Sequence, residues 1–273
     1  TRLCAILDTP PLPEAAAPKK PNGLAVRIRD VSYSYGEQTQ ALRGIDLDLQ
    51  PGTTTALIGP SGSGKSTLAM LVARFDDSTS GSISLGGVDL RDLSARDLYG
   101  AVSFVLQDPL LINASIRRNI ALAKPDATME DIRRAARTAQ IDETVMSLPK
   151  GYDSVLGTDC LLSGGESQRV SIARALLADA PILIMDEATA FADPDSEAEI
   201  QKALNALVKD RTVLVIAHRV GAIEGADQVV VMEQGEIVAR GTHRDLRGNA
   251  HYQALVRQCG LQLDGAEGGD GHE

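Results

Sequence analysis

Nine consecutive residues, 59–67, combine the small and charged side chains that phosphate binding requires. In order they are Gly59, Pro60, Ser61, Gly62, Ser63, Gly64, Lys65, Ser66 and Thr67. The glycines let successive backbone N–H groups turn towards phosphate oxygens, where a Cβ atom would obstruct them. Lys65 adds a positive charge for the β- and γ-phosphates, and the Ser66 hydroxyl is suited to ligate Mg²⁺. The segment therefore predicts a P-loop, with all nine residues at a nucleotide that carries Mg²⁺.

A strand and a helix are expected on the two sides of this loop. Residues 53–58 form a short β-branched and apolar run, typical of a buried strand, and residues 66–74 have the pattern of a helix. The N-terminal end of that helix then faces the phosphates, where its dipole and its N–H groups favour an anion. The alternative, an ordinary Gly/Ser-rich surface loop, does not account for the strand and helix on the correct sides.

Two carboxylates follow a second apolar run. Residues 182–185 read Ile-Leu-Ile-Met, and Asp186 and Glu187 come directly after them. The carboxyl ends of parallel strands meet at one edge of a sheet, so both side chains are expected in the same crevice as the P-loop. Asp186 is predicted to hold Mg²⁺ through water, and Glu187 to act as general base on an attacking water. Many buried strands end in acidic turns, so the two carboxylates alone indicate little. Together with the P-loop upstream, they indicate a nucleotide site.

Composition argues against a nucleic-acid partner and against an obvious membrane span. The net charge is −10, the pI is near 4.9, and aromatic residues make up 3% of the 273 residues with no Trp. Such a chain offers little attraction for phosphate backbones and few rings for stacked bases. The three cysteines, Cys4, Cys160 and Cys259, fit neither a disulfide framework nor metal-ligand spacing and suggest a reducing compartment. No apolar run approaches the roughly 18 residues that span a bilayer.

The sequence divides into three parts. Residues 1–23 read as the end of an amphipathic helix followed by a Pro-rich linker, and residues 259–273 as a disordered acidic tail. Residues 24–258 alternate strands and helices, interrupted by a helical insertion at about 107–179. Within it, Thr128 to Asp131 resembles a capping box that opens a helix. The chain begins at Thr1 without Met, and we expect it to be a piece of a longer protein.

Residues 162–169, Leu-Ser-Gly-Gly-Glu-Ser-Gln-Arg, resemble the signature motif of the ATP-binding cassette (ABC) ATPases, as do residues 170–177 after them. Glycines before a helix N-terminus form a second anion site, here Ser163, Gly164 and Gly165. In that family the second site acts across a subunit joint on the γ-phosphate. The resemblance therefore implies a second nucleotide-binding domain as partner, with ATP sandwiched at each joint. The alternative is a glycine-rich helix start that binds no ligand.

Four further residues match the family pattern in order. Tyr35 resembles the aromatic that stacks on adenine, with Tyr33 on the same strand face as the second choice. Gln107 resembles the Q-loop glutamine that contacts Mg²⁺ or the water, Asp193 the D-loop aspartate at the dimer joint, and His218 the switch histidine at the γ-phosphate. Each has a structural alternative: core packing for the tyrosines, a turn after a strand for Gln107, a helix N-cap for Asp193, and a structural role for His218.

The resemblance is strongest to nucleotide-binding domains of exporter-type transporters, through residues 107–120 and 148–153. It implies a transmembrane domain, of the same or a partner half-transporter, and a place at the cytoplasmic face of a cell membrane, the inner membrane of a bacterium. The overall residue usage also resembles actinobacterial half-transporters, including those for siderophores. Two departures affect coupling: residues 157–162 lack the usual glutamate and are one residue shorter, and residues 190–193 lack the usual serine.

The sequence thus predicts an α/β fold, a P-loop NTPase (RecA-like) core with an antiparallel β-subdomain and an inserted α-helical subdomain. Its expected activity is ATP hydrolysis, with Lys65, Gln107, Glu187 and His218 as catalytic residues, that drives a membrane domain. One rival is a soluble ABC-type ATPase that acts on chromosomes or ribosomes. The 97 positions between Lys65 and Ser163 leave no room for the long coiled coil of the chromosome type, and the ribosome type carries two cassettes. The other rival, a non-catalytic regulatory domain, conflicts with the presence of Glu187 and His218.

Overall fold

Two β-sheets and ten helices form the fold in the part of the chain that the structure describes. The structure is a computed structural model and describes residues 12–36, 39–186, 194–217 and 220–258. The strands are β1 (Val26–Tyr35), β2 (Thr39–Leu49), β3 (Thr54–Ile58), β4 (Ser80–Leu85), β5 (Val88–Asp89), β6 (Val102–Val105), β7 (Ile182–Asp186), β8 (Thr212–Ile216), β9 (Gln228–Glu233) and β10 (Glu236–Gly241).

The helices lie between and after these strands. They are α1 (Lys65–Val72), α2 (Ala95–Ala101), α3 (Ile116–Ile120), α4 (Met129–Thr138), α5 (Asp142–Ser147), α6 (Gly164–Ala178), α7 (Pro194–Val208), α8 (Val220–Glu224), α9 (His243–Leu246) and α10 (Ala250–Gln258). Short 3₁₀ turns occur at Leu90–Asp92, Ala121–Ala123 and Gly151–Asp153. In the part of the chain that the structure describes, no helix is long and apolar enough to cross a bilayer.

The central sheet has the order β10-β9-β3-β8-β7-β6, parallel except for β10. Its strands are apolar along their length because both faces are covered. Ile182 and Ile184 pack on the face shared with α1 and the second sheet, whereas Leu183 and Met185 pack on the face covered by α6 and α7. The period of two along β7 thus divides the core into two layers, one on each side of the sheet.

The second sheet is antiparallel, with the order β2-β1-β4-β5. Its apolar side chains, among them Ile28, Leu47 and Ile83, join the layer that contains α1. This sheet confirms the predicted antiparallel β-subdomain, and the central sheet confirms the α/β core.

Between β6 and β7 the described chain is helical, with α3 to α6 and two isolated bridges. A capping box opens α4: the Thr128 hydroxyl accepts from the Asp131 N–H, and the Asp131 carboxylate accepts from the Thr128 N–H. Ile132, Ala135 and Ala136 of α4 and Ala139 directly after it are all buried. α6 packs against α3, α4 and α7 and also against β6, so it joins the helical insertion to the central sheet.

Residues 12–23, which composition predicts as a linker, contain no described helix or strand but are bonded to the antiparallel sheet and its neighbours. Lys19 donates its backbone N–H to Asp92 and its ammonium to the Asp92 carboxylate at 2.7 Å. The guanidinium of Arg74, two residues beyond α1, donates to the carbonyls of Pro13 (2.9 Å) and Leu90 (3.1 Å). Arg74 is buried and has a left-handed backbone conformation with φ of 51°. The predicted helix at 1–7 and tail at 259–273 lie outside the described residues.

Candidate active site

The predicted P-loop connects β3 to α1, as expected from its flanking sequence. Lys65, the first residue of α1, is 6% exposed, and its ammonium donates to the carbonyls of Gly59 and Pro60, both at 2.8 Å. The Ser63 hydroxyl lies 3.4 Å from the same nitrogen. The lysine side chain therefore folds back into the loop, where its ammonium donates to backbone carbonyl oxygens.

Two glycines of this loop have backbone or contact requirements that other residues do not meet. Gly64 is the N-cap of α1 with φ of 99°, and a Cβ there would lie 2.7 Å from the Ala41 carbonyl. A Cβ on Gly59 would lie 2.1 Å from the Met232 carbonyl at the end of β9. Since the N-cap has no side chain, no side-chain oxygen caps the first turn of α1. The loop is thus fixed against β2 and β9 while the N-terminus of α1 stays available to an anion.

The two candidate tyrosines on β1 have different environments. Their rings meet edge to face at 4.9 Å, which agrees with the expected common face. Tyr33 is buried and its hydroxyl donates to Asp76, and burial and this bond raise the pKa of its phenol. Tyr35 is 48% exposed, and its hydroxyl lies 3.1 Å from the Thr67 hydroxyl on α1. Tyr35 therefore offers an open ring beside the P-loop, and Tyr33 is part of the core.

Asp186 ends β7 at the level where β3 leads into the P-loop. Both Leu57 on β3 and Asp186 on β7 pair in register with Ile216 on β8, which lies between them. With neighbouring strands about 4.8 Å apart, the Asp186 backbone lies roughly 10 Å from the β3 backbone. Ala217 follows Ile216 at the same edge. Glu187, Asp193 and His218, the other predicted residues of this edge and of the dimer joint, lie outside the described residues.

Gln107 is half-buried in the turn that follows β6, the strand next to β7 at the edge of the sheet. No described residue forms a hydrogen bond with its side chain. The backbone on its two sides is held by α6: the Gln168 amide donates to the Leu106 carbonyl at 3.1 Å, and the Arg174 guanidinium donates to the Leu110 carbonyl at 3.0 Å.

The signature residues form the start of α6. Ser163 is the N-cap; its hydroxyl accepts from the Glu166 N–H at 3.2 Å, and the Glu166 carboxylate accepts from the Ser163 N–H at 2.7 Å. The expectation that the glycines precede the helix is wrong, because Gly164 and Gly165 are its first two residues. Their small size leaves the first turn open, with Ser163 and Gly164 exposed. The Ser163–Glu166 pair was missed in the sequence, although a Ser followed by Glu three positions later is the signal of a capping box.

The donor set fits a magnesium–nucleotide complex. Among residues 12–36, 39–186, 194–217 and 220–258, no group of three His, Cys, Asp or Glu side chains is placed to hold a metal ion. Mg²⁺ bound with a nucleotide does not need such a group, since it keeps waters and takes phosphate oxygens beside one or two protein ligands. The exposed Ser66 hydroxyl and the half-buried Asp186 carboxylate are oxygen ligands of this kind.

Comparison with known proteins identifies the family. A model of the ABC transporter family matches residues 42–190. A mycobactin import ATP-binding/permease protein of Mycolicibacterium thermoresistibile is 58% identical over 221 residues, which cover 81% of this chain and 24% of that protein. An ATP-dependent lipid A-core flippase of Desulfotalea psychrophila is 46% identical over 260 residues, which cover 93% of this chain and 45% of the flippase. The chain thus spans about a quarter to under half of the length of these relatives.

Among solved structures, a bacterial Atm1-family ABC exporter with ATP bound has a similar fold. The TM-score is 0.83 with 34% sequence identity, and the match covers 94% of this chain and 46% of the exporter chain. The matched region includes the P-loop, the signature residues and the strand that ends at Asp186. The chain therefore belongs to the ABC transporter family and corresponds to its ATP-binding domain.

Proposed function

We propose that this chain is the ATP-hydrolysing motor domain of an exporter-type ABC transporter. The observation that carries the proposal is the buried Lys65 ammonium inside a glycine loop, at the N-terminus of α1 and level with Asp186 across β8. This combination places a positive charge, helix N–H groups and a carboxylate at one edge of the sheet. Such an arrangement suits a nucleoside triphosphate with its metal ion.

Each residue has a distinct part in hydrolysis. Lys65 and the loop backbone bind the phosphates, and the Tyr35 ring stacks on the base. Ser66, Asp186 and Gln107 hold Mg²⁺, which neutralises charge on the β- and γ-phosphates when bound. Glu187 accepts the proton of the attacking water, and His218 contacts the γ-phosphate.

Completion of the site requires a second cassette. Ser163, Gly164 and Gly165 open a different helix from the P-loop, and in this family the motif acts on the nucleotide of the facing domain. The capped N-terminus of α6, exposed at Ser163 and Gly164, supports a contact with an anion from outside the chain. We infer a dimer around two ATP molecules, with Asp193 at the joint. We infer that the dimer lies at the cytoplasmic face of a bacterial inner membrane, where it drives a transmembrane domain of the same or a partner half-transporter.

The alternative is an ABC-type ATPase that is not coupled to transport, either soluble or regulatory. The permease segments named in the relatives favour the transporter. A regulatory domain would lack turnover, so hydrolysis separates it from the motor.

For the cargo, sequence identity favours a siderophore. The mycobactin import proteins are 56% to 58% identical over their matched regions, against 43% to 48% for the flippases. Loss of the gene in its host should lower uptake of ferric mycobactin and growth under iron limitation. Unchanged uptake of labelled ferric mycobactin in the deletion strain would remove this cargo from consideration.

The test of hydrolysis uses Glu187→Gln, which keeps size and removes the basic carboxylate. The variant should bind ATP, hydrolyse it very slowly and accumulate as an ATP-bound dimer on size-exclusion chromatography. Wild-type turnover in Glu187→Gln would show that Glu187 is not the base. A folded wild-type chain that hydrolyses no ATP at any concentration would instead favour the regulatory alternative.

A further inference from the structure

The turn that carries Gln107 is held to the signature helix by two side chains, the buried Gln168 and the half-buried Arg174. Gln168 donates from Nε2 to the Leu106 carbonyl, directly before Gln107, and Arg174 donates from Nη1 to the Leu110 carbonyl, three residues after it. Arg174 also donates from Nε to the Asn119 carbonyl at 2.9 Å, near the end of α3. The turn at 106–110 is thus bonded at both ends to α6 by side-chain donors.

The bond from Gln168 is difficult to replace with water. Gln168 is 4% exposed, and burial lowers the pKa of the Arg174 guanidinium. One atom of each side chain, Gln168 Oε1 and Arg174 Nη2, is buried without a hydrogen bond to any described residue. Each side chain has therefore already lost hydrogen bonds to water, and its bond to the turn compensates for only part of that loss. Separation of the turn from α6 would leave the buried Gln168 donor unsatisfied, which is costly.

The same helix begins at the signature residues. α6 is a single helix of 15 residues, about 22 Å long, with Ser163 at its N-cap and Gln168 and Arg174 further along it. A rigid-body movement of α6 therefore displaces the signature residues and the Gln107 turn together.

We propose that Gln168 and Arg174 are positioning residues, which fix the turn that carries Gln107 against α6 and so determine where Gln107 lies at the active site. The inference rests on the proposed function, because Gln107 and Ser163 have no nucleotide to act on without it. Gln107 has no side-chain bond to a described residue, so the backbone on its two sides determines where it points.

The first test measures the turn itself and needs no nucleotide. Gln168→Met keeps the length of the side chain and removes the amide, so both the donor and the unpartnered Oε1 disappear. Exchange of the backbone amides of residues 107, 108, 110 and 111 should rise about fivefold, as expected for loss of one hydrogen bond of ordinary net strength. Ser171→Ala, at another buried polar position on α6, is the matched control and should leave exchange of this turn unchanged.

The second test separates positioning from a structural role. In Gln168→Met, kcat for ATP should fall about tenfold with KM and thermal stability near wild type, since the P-loop is untouched. In a Gln107→Ala background the same substitution should have no further effect on kcat, because a residue that acts through Gln107 has nothing left to position.

Three outcomes overturn the inference: unchanged exchange at 107–111 in Gln168→Met, wild-type kcat in that variant, or a full additive loss in the Gln107→Ala background. If Gln168→Met does not fold, Arg174→Lys, which keeps the charge but loses the fork of donors, provides the same three measurements. A wild-type chain without ATPase activity would count against the proposed function alone, since the exchange experiment is done without ATP.

Discussion

Tyr33 and Tyr35 lie two positions apart on β1, and burial gives them different roles. The Tyr33 hydroxyl bonds to Asp76 inside the core layer, whereas the open Tyr35 ring stands beside Thr67 of the P-loop helix. The chain contains no tryptophan. A single Trp at either kind of position therefore becomes the only indole in the protein.

Tyr35→Trp should retain ATP affinity, and its fluorescence should change on ATP binding because the indole stacks on the base. Tyr35→Ala should weaken ATP binding about tenfold, since a stacked base contributes roughly 1–3 kcal/mol. Tyr99→Trp, on a tyrosine of similar exposure in α2, is the control and should show no change in fluorescence with ATP. Equal ATP affinity in Tyr35→Ala and wild type, measured by calorimetry, would assign base stacking to another residue.

Lys65→Ala should raise the dissociation constant for MgATP at least tenfold and abolish turnover, since a charge-assisted hydrogen bond contributes about 1.5–3 kcal/mol. Circular dichroism should remain that of the folded protein. Lys124→Ala, at an exposed lysine of the helical insertion, should bind and hydrolyse ATP like wild type. Wild-type affinity in a folded Lys65→Ala protein contradicts the phosphate-binding role.

At the scale of an element, one residue at the N-terminus of α6, Ser163, has both a structural and a proposed catalytic role. The Ser163 hydroxyl caps the helix and also lies at its exposed end, where the proposed function places the facing γ-phosphate. An equivalent capping box opens α4, at Thr128, away from the proposed joint. The two boxes allow the structural and the catalytic duty to be separated.

Ser163→Asp should keep the cap, since Asp is as good an N-cap as Ser, but should abolish ATPase activity through repulsion between its carboxylate and the phosphates. Thr128→Ala should lower the free energy of unfolding by about 1 kcal/mol and leave kcat unchanged. Urea unfolding and steady-state ATPase assays give both quantities for each variant. Full activity in Ser163→Asp would remove Ser163 from the phosphate site.

Asp142 at the start of α5 ties three parts of the helical insertion together. Its carboxylate accepts two hydrogen bonds from Arg133 of α4, at 3.2 Å each, and one from the Tyr152 hydroxyl at 2.6 Å, and Arg137 lies 3.6 Å away. The Arg133 bond, together with the Tyr152 bond and the charges of both arginines, outweighs burial and holds the pKa of Asp142 below its usual range.

Since the unfolded chain then binds more protons than the folded one near pH 4, the stabilisation from Asp142 is complete above the ordinary Asp pKa of about 3.9 and is lost as pH falls below it. Asp142→Asn should therefore flatten the acid limb of a plot of unfolding free energy against pH between about 2.5 and 5. Asp153→Asn, at an exposed carboxylate nearby, should leave the limb unchanged. A limb of wild-type steepness in Asp142→Asn would contradict the assignment.

Motifs with a fixed backbone shape were predictable from the sequence, and contacts between distant backbone and side-chain atoms were not. The P-loop, the apolar strands and the Thr128 cap follow from local spacing. The bonds from Gln168 to Leu106 and from Arg74 to Pro13 end on carbonyl oxygens, which every residue carries and no sequence pattern marks. Tyr33 and Tyr35 occupy equivalent positions in the alternating pattern of β1. Only their contacts in the fold, with Asp76 and with α1, distinguish the buried ring from the exposed one.

At the scale of the whole molecule, the proposed active site is shared between two chains. Because the proposed dimer forms around ATP, dimer formation by residues 1–273 should depend on ATP and on protein concentration. ATPase activity per chain should rise with protein concentration and level off when dimers dominate. Constant activity per chain, down to concentrations where light scattering finds only monomer, contradicts the shared site.

A mixing experiment tests the sharing directly. Ser163→Arg and Lys65→Ala are each expected to be inactive alone, but their mixed dimer has one site with both wild-type Lys65 and wild-type Ser163. Partial ATPase activity should appear on mixing and should require ATP-dependent dimers on size-exclusion chromatography. Mixing Lys65→Ala with Lys65→Arg, which provides no intact site, is the matched control and should stay inactive.

The docking of residues 12–23 changes where the mechanical unit begins. Composition places the start of the folded domain at residue 24, but Arg74 forms a hydrogen bond with Pro13 and Asp92 an ion pair with Lys19. A force applied at residue 12 is transmitted through the Arg74 guanidinium to the C-terminal end of α1. The N-terminal end of the same helix belongs to the P-loop. A chain that begins at residue 24 would keep every described strand and helix but would lose the bonds of Arg74 and Asp92 to residues 12–23. A force applied at its N-terminus would then no longer reach α1 through Arg74.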